Sequence, residues 1–273
     1  MNRSMNCMLC MVFIFGLALQ DGYAQLVSQE PTSEEIQKWP LERRAQYHAS
    51  HYLETLPDFI ATQQIKRMDR SQGKKDWLIK DSLEIELTYT AKAGDSYKLL
   101  KQNGKAVKGK YDASLGATSM GEFGEIMALL FKARFLKSQK ETLLNRLSLV
   151  FDFVIDKADA KYQLTESVTR RQVITGLEGR VWIDMQTARI MRIEYSATNI
   201  PAEFPLSLAE HAVEYTEITV NGKQYVLPDT AEFLVGNERT NFYQRNYIKF
   251  QNYRVFDTDL KIVVEEEPLR KKP

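Results

Sequence analysis

Cysteine is nearly absent from this sequence, and its absence excludes several kinds of site. The two cysteines, Cys7 and Cys10, both lie in an apolar run near the N-terminus. We expect that run to be cleaved off, so the mature chain would have neither a disulfide nor a thiolate metal site. A cysteine nucleophile is excluded for the same reason. The mature chain must therefore be stabilised by a packed core.

An excess of charge of one sign is also missing. The chain has 37 lysines and arginines against 36 aspartates and glutamates, a formal net charge of +1. Such a balance gives no overall field that would attract nucleic acid, so we expect no nucleic-acid partner. Charge is concentrated only at the end, in residues 263–273. We interpret this segment as a solvated tail, with an interaction tail as the alternative.

The one long hydrophobic run is too short for a membrane anchor. It extends from Cys7 to Leu19, whereas a spanning helix needs about 20 residues. Gly22, Tyr23 and Ala24 follow it, so residues 1–24 are typical of a secretory signal cut before Gln25. We expect an exported protein without a transmembrane anchor, located in the periplasm, with secretion from the cell as the alternative.

Motifs for catalysis and cofactors are missing as well. The sequence has no Gly-x-Ser-x-Gly elbow, no phosphate-binding loop and no dinucleotide fingerprint. His48 and His51 are spaced to share a helix face, but no third metal ligand is apparent. Glu84 and Glu86 share a strand face that we expect to point to water. The prediction is a non-catalytic protein with no cofactor and no metal.

Periodicity predicts helices first and strands afterwards. Residues 32–55 follow a helical pattern that Pro40 divides in two. After Pro57 the period changes to two, most clearly where Leu83, Ile85, Leu87 and Tyr89 alternate with polar residues. Further strands are predicted at 59–67, 97–102, 105–108, 147–155, 162–169, 180–184, 189–197, 214–220, 224–227, 230–235 and 241–256.

These patterns predict a mainly β (α+β) fold in one domain, residues 25–262. About 10–11 antiparallel strands with short turns favour a strongly curved sheet or half-barrel, because open sheets of that size tend to bend or split. Within the strands, residues 119–135 have the pattern of an amphipathic helix. We expect this mid-chain helix and the N-terminal helices to cover the open side of the sheet as a lid.

The apolar faces of helix and sheet form either plain core or the walls of a candidate cavity between them. The helix contributes residues at three- and four-residue steps, and the strands contribute residues of their apolar phase. Such a cavity suits an acyl chain, and methionine is an adaptable lining residue. The candidate ligand-binding residues are Met120, Phe123, Met127, Leu130, Phe131, Leu87, Tyr89, Phe151 and Phe153.

The predicted order of signal, N-terminal helices, long meander and mid-chain helix resembles the periplasmic lipoprotein-carrier superfamily. Segments 56–59, 116–124 and 179–184 are also similar to uncharacterised exported bacterial proteins of that shape. The superfamily comprises Lol-type half-barrel carriers, lipid-binding lipoproteins and envelope-stress sensor domains. The resemblance implies a hydrophobic cavity between sheet and lid that holds acyl chains.

Two functional hypotheses follow. In the first, the protein binds a lipid or the acyl chain of a lipoprotein in that cavity. In the second, the half-barrel is packed solid and acts as a protein-interaction or envelope-sensing scaffold, for which an exposed strand edge offers unpaired backbone groups. An enzyme whose charged cleft assembles from distant strands is a third, weaker alternative.

Overall fold

Antiparallel strands form most of the protein in the computed structural model, which describes residues 30–70, 74–107, 124–166, 170–220 and 222–256. The helices are α1 (Ser33–Gln37), α2 (Leu41–Ser50), α3 (Tyr52–Thr55), α4 (Glu125–Leu130) and α5 (Lys157–Ala160). The strands are β1 (Phe59–Arg70), β2 (Leu78–Thr90), β3 (Gly94–Gln102), β4 (Lys105–Ala106), β5 (Arg134–Leu143), β6 (Arg146–Ile155), β7 (Tyr162–Thr165), β8 (Gln172–Asp184), β9 (Ile190–Thr198), β10 (Leu208–Val220), β11 (Lys223–Asn237) and β12 (Phe242–Val255).

All twelve strands belong to one curved sheet, which confirms the predicted fold class. The order is β4-β3-β2-β1-β12-β11-β10-β9-β8-β6-β5, and the short β7 pairs with β8. The first strand is therefore hydrogen-bonded to the last, with Phe59 opposite Val255. Among the described strands, β4 and β5 form the two edges and do not pair with each other. The chain that joins these edges carries α4.

The two faces of the sheet differ because side chains alternate along each strand. On β2, Leu83, Ile85 and Leu87 are buried, whereas Glu84 and Glu86 lie on the opposite face in ion pairs with lysines of β3. We call the apolar face the inner face and the polar face the outer face. Helices α2, α3 and α4 cover the inner face, and their buried side chains form one continuous cluster with it.

Local sequence explains several element ends. Thr32 caps α1, because its hydroxyl accepts from the backbone of Glu35 while the Glu35 carboxylate accepts from the Thr32 backbone. Pro40 separates α1 from α2, as predicted. Asn103 and Gly104 have φ angles of 49° and 76° and close the β3–β4 hairpin in the predicted tight turn.

The predicted mid-chain helix is wrong at its C-terminal end. Helix α4 stops at Leu130, and Phe135 lies in strand β5. The sequence pattern missed β5 because it is an edge strand whose residues are mostly exposed, so it lacks alternating apolar positions. Residues 119–123, where we predicted the helix to begin, lie outside the described residues.

Two predicted strands, 224–227 and 230–235, are a single strand. In β11 the pairing shifts between Glu214 and Tyr215 of β10, which face Thr230 and Pro228, so Asp229 is one extra residue. Proline has no amide hydrogen to donate to a ladder, and a bulge accommodates it. The sequence pattern therefore suggested a break where the strand bends and continues.

Candidate ligand-binding site

Four of the predicted site residues lie on the inner face of the sheet. Leu87 and Tyr89 come from β2, and Phe151 and Phe153 from β6, and all four are buried. Tyr89 stacks on Phe59, with 5.3 Å between ring centroids. All four belong to the cluster shared by the sheet and the helices. The alternation in the sequence thus identified the apolar face correctly.

Helix α4 places its predicted site residues unequally. Met127 and Leu130 are buried in the same cluster as the strand residues. Phe131, the residue after the helix, is 64% exposed and does not join them. Met120 and Phe123 lie outside the described residues. The structure therefore brings together six of the nine candidate residues.

Helices α2, α3 and α4 contact one another as well as the sheet, and we call these three helices the lid. The Gln46 side chain on α2 donates hydrogen bonds to the carbonyls of Leu130, at 3.1 Å, and Ala133, at 3.2 Å. These bonds fix the end of α4 and the turn that follows it, where the Leu130 carbonyl also accepts from the Ala133 amide at 3.0 Å. At the other end of α4, Gly124 packs so closely on Leu53 that a Cβ there would lie 2.2 Å from Leu53 Cδ2.

Tyr52 connects the lid to the sheet. Its hydroxyl donates to the carbonyl of Val226 on β11, at 2.9 Å, and its ring meets that of Tyr215 edge-on. Burial raises the pKa of the Tyr52 phenol far above its ordinary value, so the group stays protonated and remains a donor. The lid is thus held to β11 by a buried hydrogen bond in addition to apolar packing.

The described residues leave a small cavity between the lid and the sheet. It has a volume of about 20 Å³, enough for roughly one water molecule. It is lined by His48, Ala49, Tyr52, Met127, Arg189, Ile190 and Val226. These residues are packed together, and we call their contact between lid and sheet the seam.

A larger pocket opens beside this seam, and we call it the mouth pocket. Its volume is about 330 Å³, and it shares Tyr52, Arg189 and Val226 with the small cavity. It is lined by Tyr52, Thr55, Leu56, Arg189, Lys223, Gln224, Tyr225 and Val226. The pocket therefore connects the solvent with the edge of the closed seam.

The turn that presents Arg189 to the mouth pocket is held by Asp184. One carboxylate oxygen accepts from the backbone amides of Gln186, at 3.0 Å, and Thr187, at 2.7 Å. The other accepts from Arg146 Nε, at 2.6 Å. Burial alone would raise the pKa of Asp184, but the hydrogen bonds from Thr187 and Arg146 outweigh it and lower the pKa. Asp184 is therefore ionised and keeps the turn in one shape.

The two N-terminal histidines do not act together. His48 faces the small cavity, and its pKa is lowered first by burial and then by the nearby charge of Arg189. His51 instead has Nδ1 2.8 Å from the Tyr47 carbonyl. Across the described ranges, no three His, Cys, Asp or Glu side chains are grouped as metal ligands. The His48 imidazole is neutral at pH 7 and adds no charge to the seam.

The outer face carries a separate groove of about 580 Å³. Its floor follows aligned residues of neighbouring strands, among them the row Glu178, Ser196 and Glu210 across β8, β9 and β10. Arg192 contributes positive charge and pairs with Glu194 at 2.7 Å. The outer groove is therefore polar and mixed in charge, unlike the inner face.

Sequence reasoning missed Tyr52, Arg189 and Lys223 as neighbours at one pocket. A usable signal was present, because alternate turns of an antiparallel meander lie at the same end of the sheet. Arg189 follows the β8–β9 turn and Lys223 follows the β10–β11 turn. The position of α3 beside these turns is a matter of tertiary packing, which the periodicity does not encode.

Several solved structures are remotely similar to this chain. A domain from Vibrio parahaemolyticus assigned to outer membrane lipoprotein sorting matches 83% of this chain and 95% of its own, with 13% identity and a TM-score of 0.40. A LolA superfamily protein from Nitrosomonas europaea matches 79% and 94%, with 8% identity and a TM-score of 0.35. A DUF1329 family protein from Desulfovibrio piger matches 82% and 96%, with 10% identity and a TM-score of 0.34.

No protein-family model matches the sequence, and no curated protein is similar to it. Within the described residues, no helix is long and apolar enough to cross a membrane.

Proposed function

We propose that the protein is an exported, non-catalytic periplasmic protein that binds the acyl chain of a lipid or lipoprotein between the lid and the inner face. The observation that carries this proposal is the single apolar cluster formed by α4 and the strands. Met127 and Leu130 on the lid and Phe153 on the sheet are all buried in it. If α4 moves away, both surfaces become an apolar cleft of the kind that lipids occupy.

In this proposal, the packed seam is the closed state of the binder. A void of about 20 Å³ holds no alkyl chain, so ligand must replace contacts that the lid now makes with the sheet. Replacement is energetically feasible, because each buried methylene contributes about 0.8 kcal/mol. A long acyl chain can therefore compensate for the packing lost when α4 is displaced. The mouth pocket gives the chain a place to enter.

Native mass spectrometry of the mature chain, Gln25 to Pro273, tests the proposal. We expect protein purified from an envelope extract without detergent to carry an added mass that organic solvent extracts and that identifies as lipid. We also expect the stripped protein to bind palmitate or hexadecanol. If both experiments show only the mass of the protein without bound lipid, the proposal is contradicted.

A lid that can be locked gives a sharper test, because the expected mature chain has no cysteine of its own. Met127 of α4 and Ile190 of β9 both line the small cavity, so Met127→Cys with Ile190→Cys, joined directly or by a bifunctional thiol crosslinker cleaved on reduction, would link the lid to the sheet. We expect the oxidised variant to lose lipid binding and the reduced variant to regain it. Glu86→Cys with Lys98→Cys, an aligned pair of β2 and β3, is the control and should bind lipid in both states.

The outer groove favours a second candidate function, a scaffold that binds an envelope protein. Glu178 and Glu210 lie on either side of Ser196 in the groove, and neither has an ion-pair partner among the described residues. Two free carboxylates in a groove of about 580 Å³ suit a partner with a basic segment.

Charge reversal separates this function from lipid binding. Glu178→Lys with Glu210→Lys should weaken binding of a lysine-rich peptide at low salt while leaving lipid uptake unchanged. Glu84→Lys with Glu86→Lys, at the distant β2–β3 region, is the matched control. Equal peptide binding by both variants would contradict the scaffold function.

A further inference from the structure

The mouth pocket contains two positive charges without a counterion. Arg189 and Lys223 are both exposed, and neither makes an ion pair or a side-chain hydrogen bond in the described part of the chain. None of the other residues lining the pocket is acidic. In contrast, Arg146 of β6, Arg180 of β8 and Arg192 of β9 are each paired with a carboxylate. Arg189 and Lys223 are therefore both open to an anionic ligand at the same pocket.

From these two unpaired cations we propose that the mouth pocket binds the anionic head group, carboxylate or phosphate, of an amphiphile whose chain lies under the lid. The inference rests on the proposed function and adds the chemical class of the ligand. An arginine fork matches two oxygens of a carboxylate or phosphate, and a lysine adds a point charge. Head-group binding would orient the ligand before its chain enters the seam.

The position of the pocket supports this assignment. Tyr52, Arg189 and Val226 line both the mouth pocket and the small cavity, so a head group held in the first lies next to the second. Met127 of α4 lines the far side of that cavity. The alkyl chain of a ligand bound in this way points at the seam that the lid closes.

The surroundings of the pocket offer little competing charge. The His48 imidazole nearby is kept neutral by burial and by Arg189. The Tyr52 hydroxyl is occupied by the Val226 carbonyl. Thr55 donates its own hydroxyl to the Tyr52 carbonyl at 2.7 Å, which leaves the hydroxyl oxygen free to accept. The strongest donors available to an anion are therefore Arg189 and Lys223.

The test compares ligands of equal chain length in the wild type and in Arg189→Gln/Lys223→Gln. We expect the wild type to bind palmitate and hexadecyl phosphate roughly tenfold or more tightly than hexadecanol, as charge-assisted hydrogen bonds allow. In the double variant we expect the three affinities to become equal. Arg134→Gln/Lys137→Gln, which removes the same charge from the exposed edge strand β5, should behave as the wild type.

Reversing the charge of the two side chains tests the same site with a cationic amphiphile. Arg189→Glu/Lys223→Glu should bind hexadecylammonium more tightly than palmitate, whereas the wild type shows the opposite order. Both side chains are exposed, so thermal unfolding of these variants should match that of the wild type.

The outcomes distinguish this inference from the function on which it rests. Equal binding of hexadecanol and the anions by the wild type, or an anion preference that survives in the double variant, overturns the head-group site and leaves acyl-chain binding intact. Failure of every amphiphile to bind overturns both. If inorganic phosphate binds as tightly as hexadecyl phosphate, the pocket is a site for free anions, and the proposal of an amphiphilic ligand is overturned. Preference for palmitate over hexadecyl phosphate, or the reverse, identifies the head group.

Discussion

Gln63 is fully buried on the inner face of β1, and neither polar atom of its amide has a hydrogen-bond partner among the residues that the structure describes. Its cross-strand neighbours are Ile85 and Phe250, both apolar and buried. Transferring an amide from water to such a place without a partner costs free energy. Gln63 is therefore a position where the folded state is less stable than an apolar side chain would make it.

We predict that Gln63→Met raises the free energy of unfolding by about 1 kcal/mol or more, because methionine has a similar shape and leaves no unpaired polar atom. Urea denaturation measures the change. Gln64→Met, the exposed neighbour on the outer face, is the control and should change stability by less than about 0.5 kcal/mol. A loss of stability in Gln63→Met would contradict the expectation.

Asp81 and Arg67 form a buried ion pair, with Arg67 Nε 2.6 Å from the carboxylate. The hydrogen bond from Arg67 lowers the pKa of Asp81, and Gln102 contributes a second one at 3.1 Å. Because the pKa is lower in the folded state, the pair stabilises the fold fully above the ordinary carboxyl pKa of about 4. This stabilisation is lost as the pH falls through the folded pKa of Asp81.

We therefore predict that Asp81→Asn destabilises the protein by roughly 3 kcal/mol at pH 7, since the buried Arg67 guanidinium loses the charge of the Asp81 carboxylate. The difference from the wild type should narrow as the pH is lowered below about 4. Glu86→Gln, in an exposed pair with Lys98, should cost less than about 1 kcal/mol. A difference for Asp81→Asn that stays constant with pH would count against the ion pair as its cause.

At the level of elements, alternation predicted the central strands well and failed at the edges. Strand β2 has one buried phase and one polar phase, so its sequence shows the period of two directly. Most residues of strand β5 are exposed to solvent, so its sequence has no alternating apolar positions. Helix α4 was predicted too long at its C-terminal end because Phe131 and Phe135 fit its spacing although neither lies in the helix.

Strands β8 and β9 approach each other closely at Gly179. A Cβ on this residue would lie 1.9 Å from the Glu194 carbonyl oxygen, so the backbones of the two strands would have to separate. At Gly124 the nearest atom is the tip of the Leu53 side chain, which can rotate away. The two glycines thus share a small size but differ in what surrounds them.

We predict that Gly179→Ala lowers the free energy of unfolding by more than about 2 kcal/mol, because backbone displacement spreads to both strands. Gly124→Ala should cost clearly less. Guanidinium denaturation of the two variants side by side measures the difference. Equal losses of unfolding free energy in the two variants would contradict the prediction, because they would mean that the strand backbones at Gly179 move apart as easily as the Leu53 side chain rotates.

For the whole molecule, the described part of the lid is small compared with the sheet that it covers. Helix α4 has six residues, and the Gln46 side chain holds its end through two carbonyls. Short helices with few such links are the first parts of a protein to open. Lid opening should therefore need far less free energy than unfolding of the sheet.

We predict that Gln46→Ala speeds amide exchange in α4 roughly five- to tenfold, the effect of about 1 kcal/mol, while strands β8 to β10 keep their protection. Hydrogen exchange with mass spectrometry measures both regions at once. Gln64→Ala on the outer face of β1 is the control. Equal acceleration throughout the chain would show that the lid does not open separately.

The sequence predicted the apolar half of the candidate site and missed the charged half. Leu87 and Phe153 follow from strand periodicity, which is a local property. Arg189 and Lys223 meet only because two turns and α3 converge, and such convergence depends on the packing of the whole sheet. The burial of Gln63 could not be predicted either, because the alternation pattern assigns polar residues to the solvent-exposed face.

The pairing of β1 with β12 has a consequence for chain connectivity. Residues 58 and 256 are already joined by a hydrogen bond from the Phe256 amide to the Asp58 carbonyl. A circular permutant that links residue 256 to residue 30 by a flexible peptide and begins its chain between residues 107 and 124 would keep helices α1 to α3 and every strand neighbour of the sheet. The covalent connection between the edge strands β4 and β5 would be cut. Such a permutant should fold with the same sheet, and α4 would be attached to the sheet from one side alone.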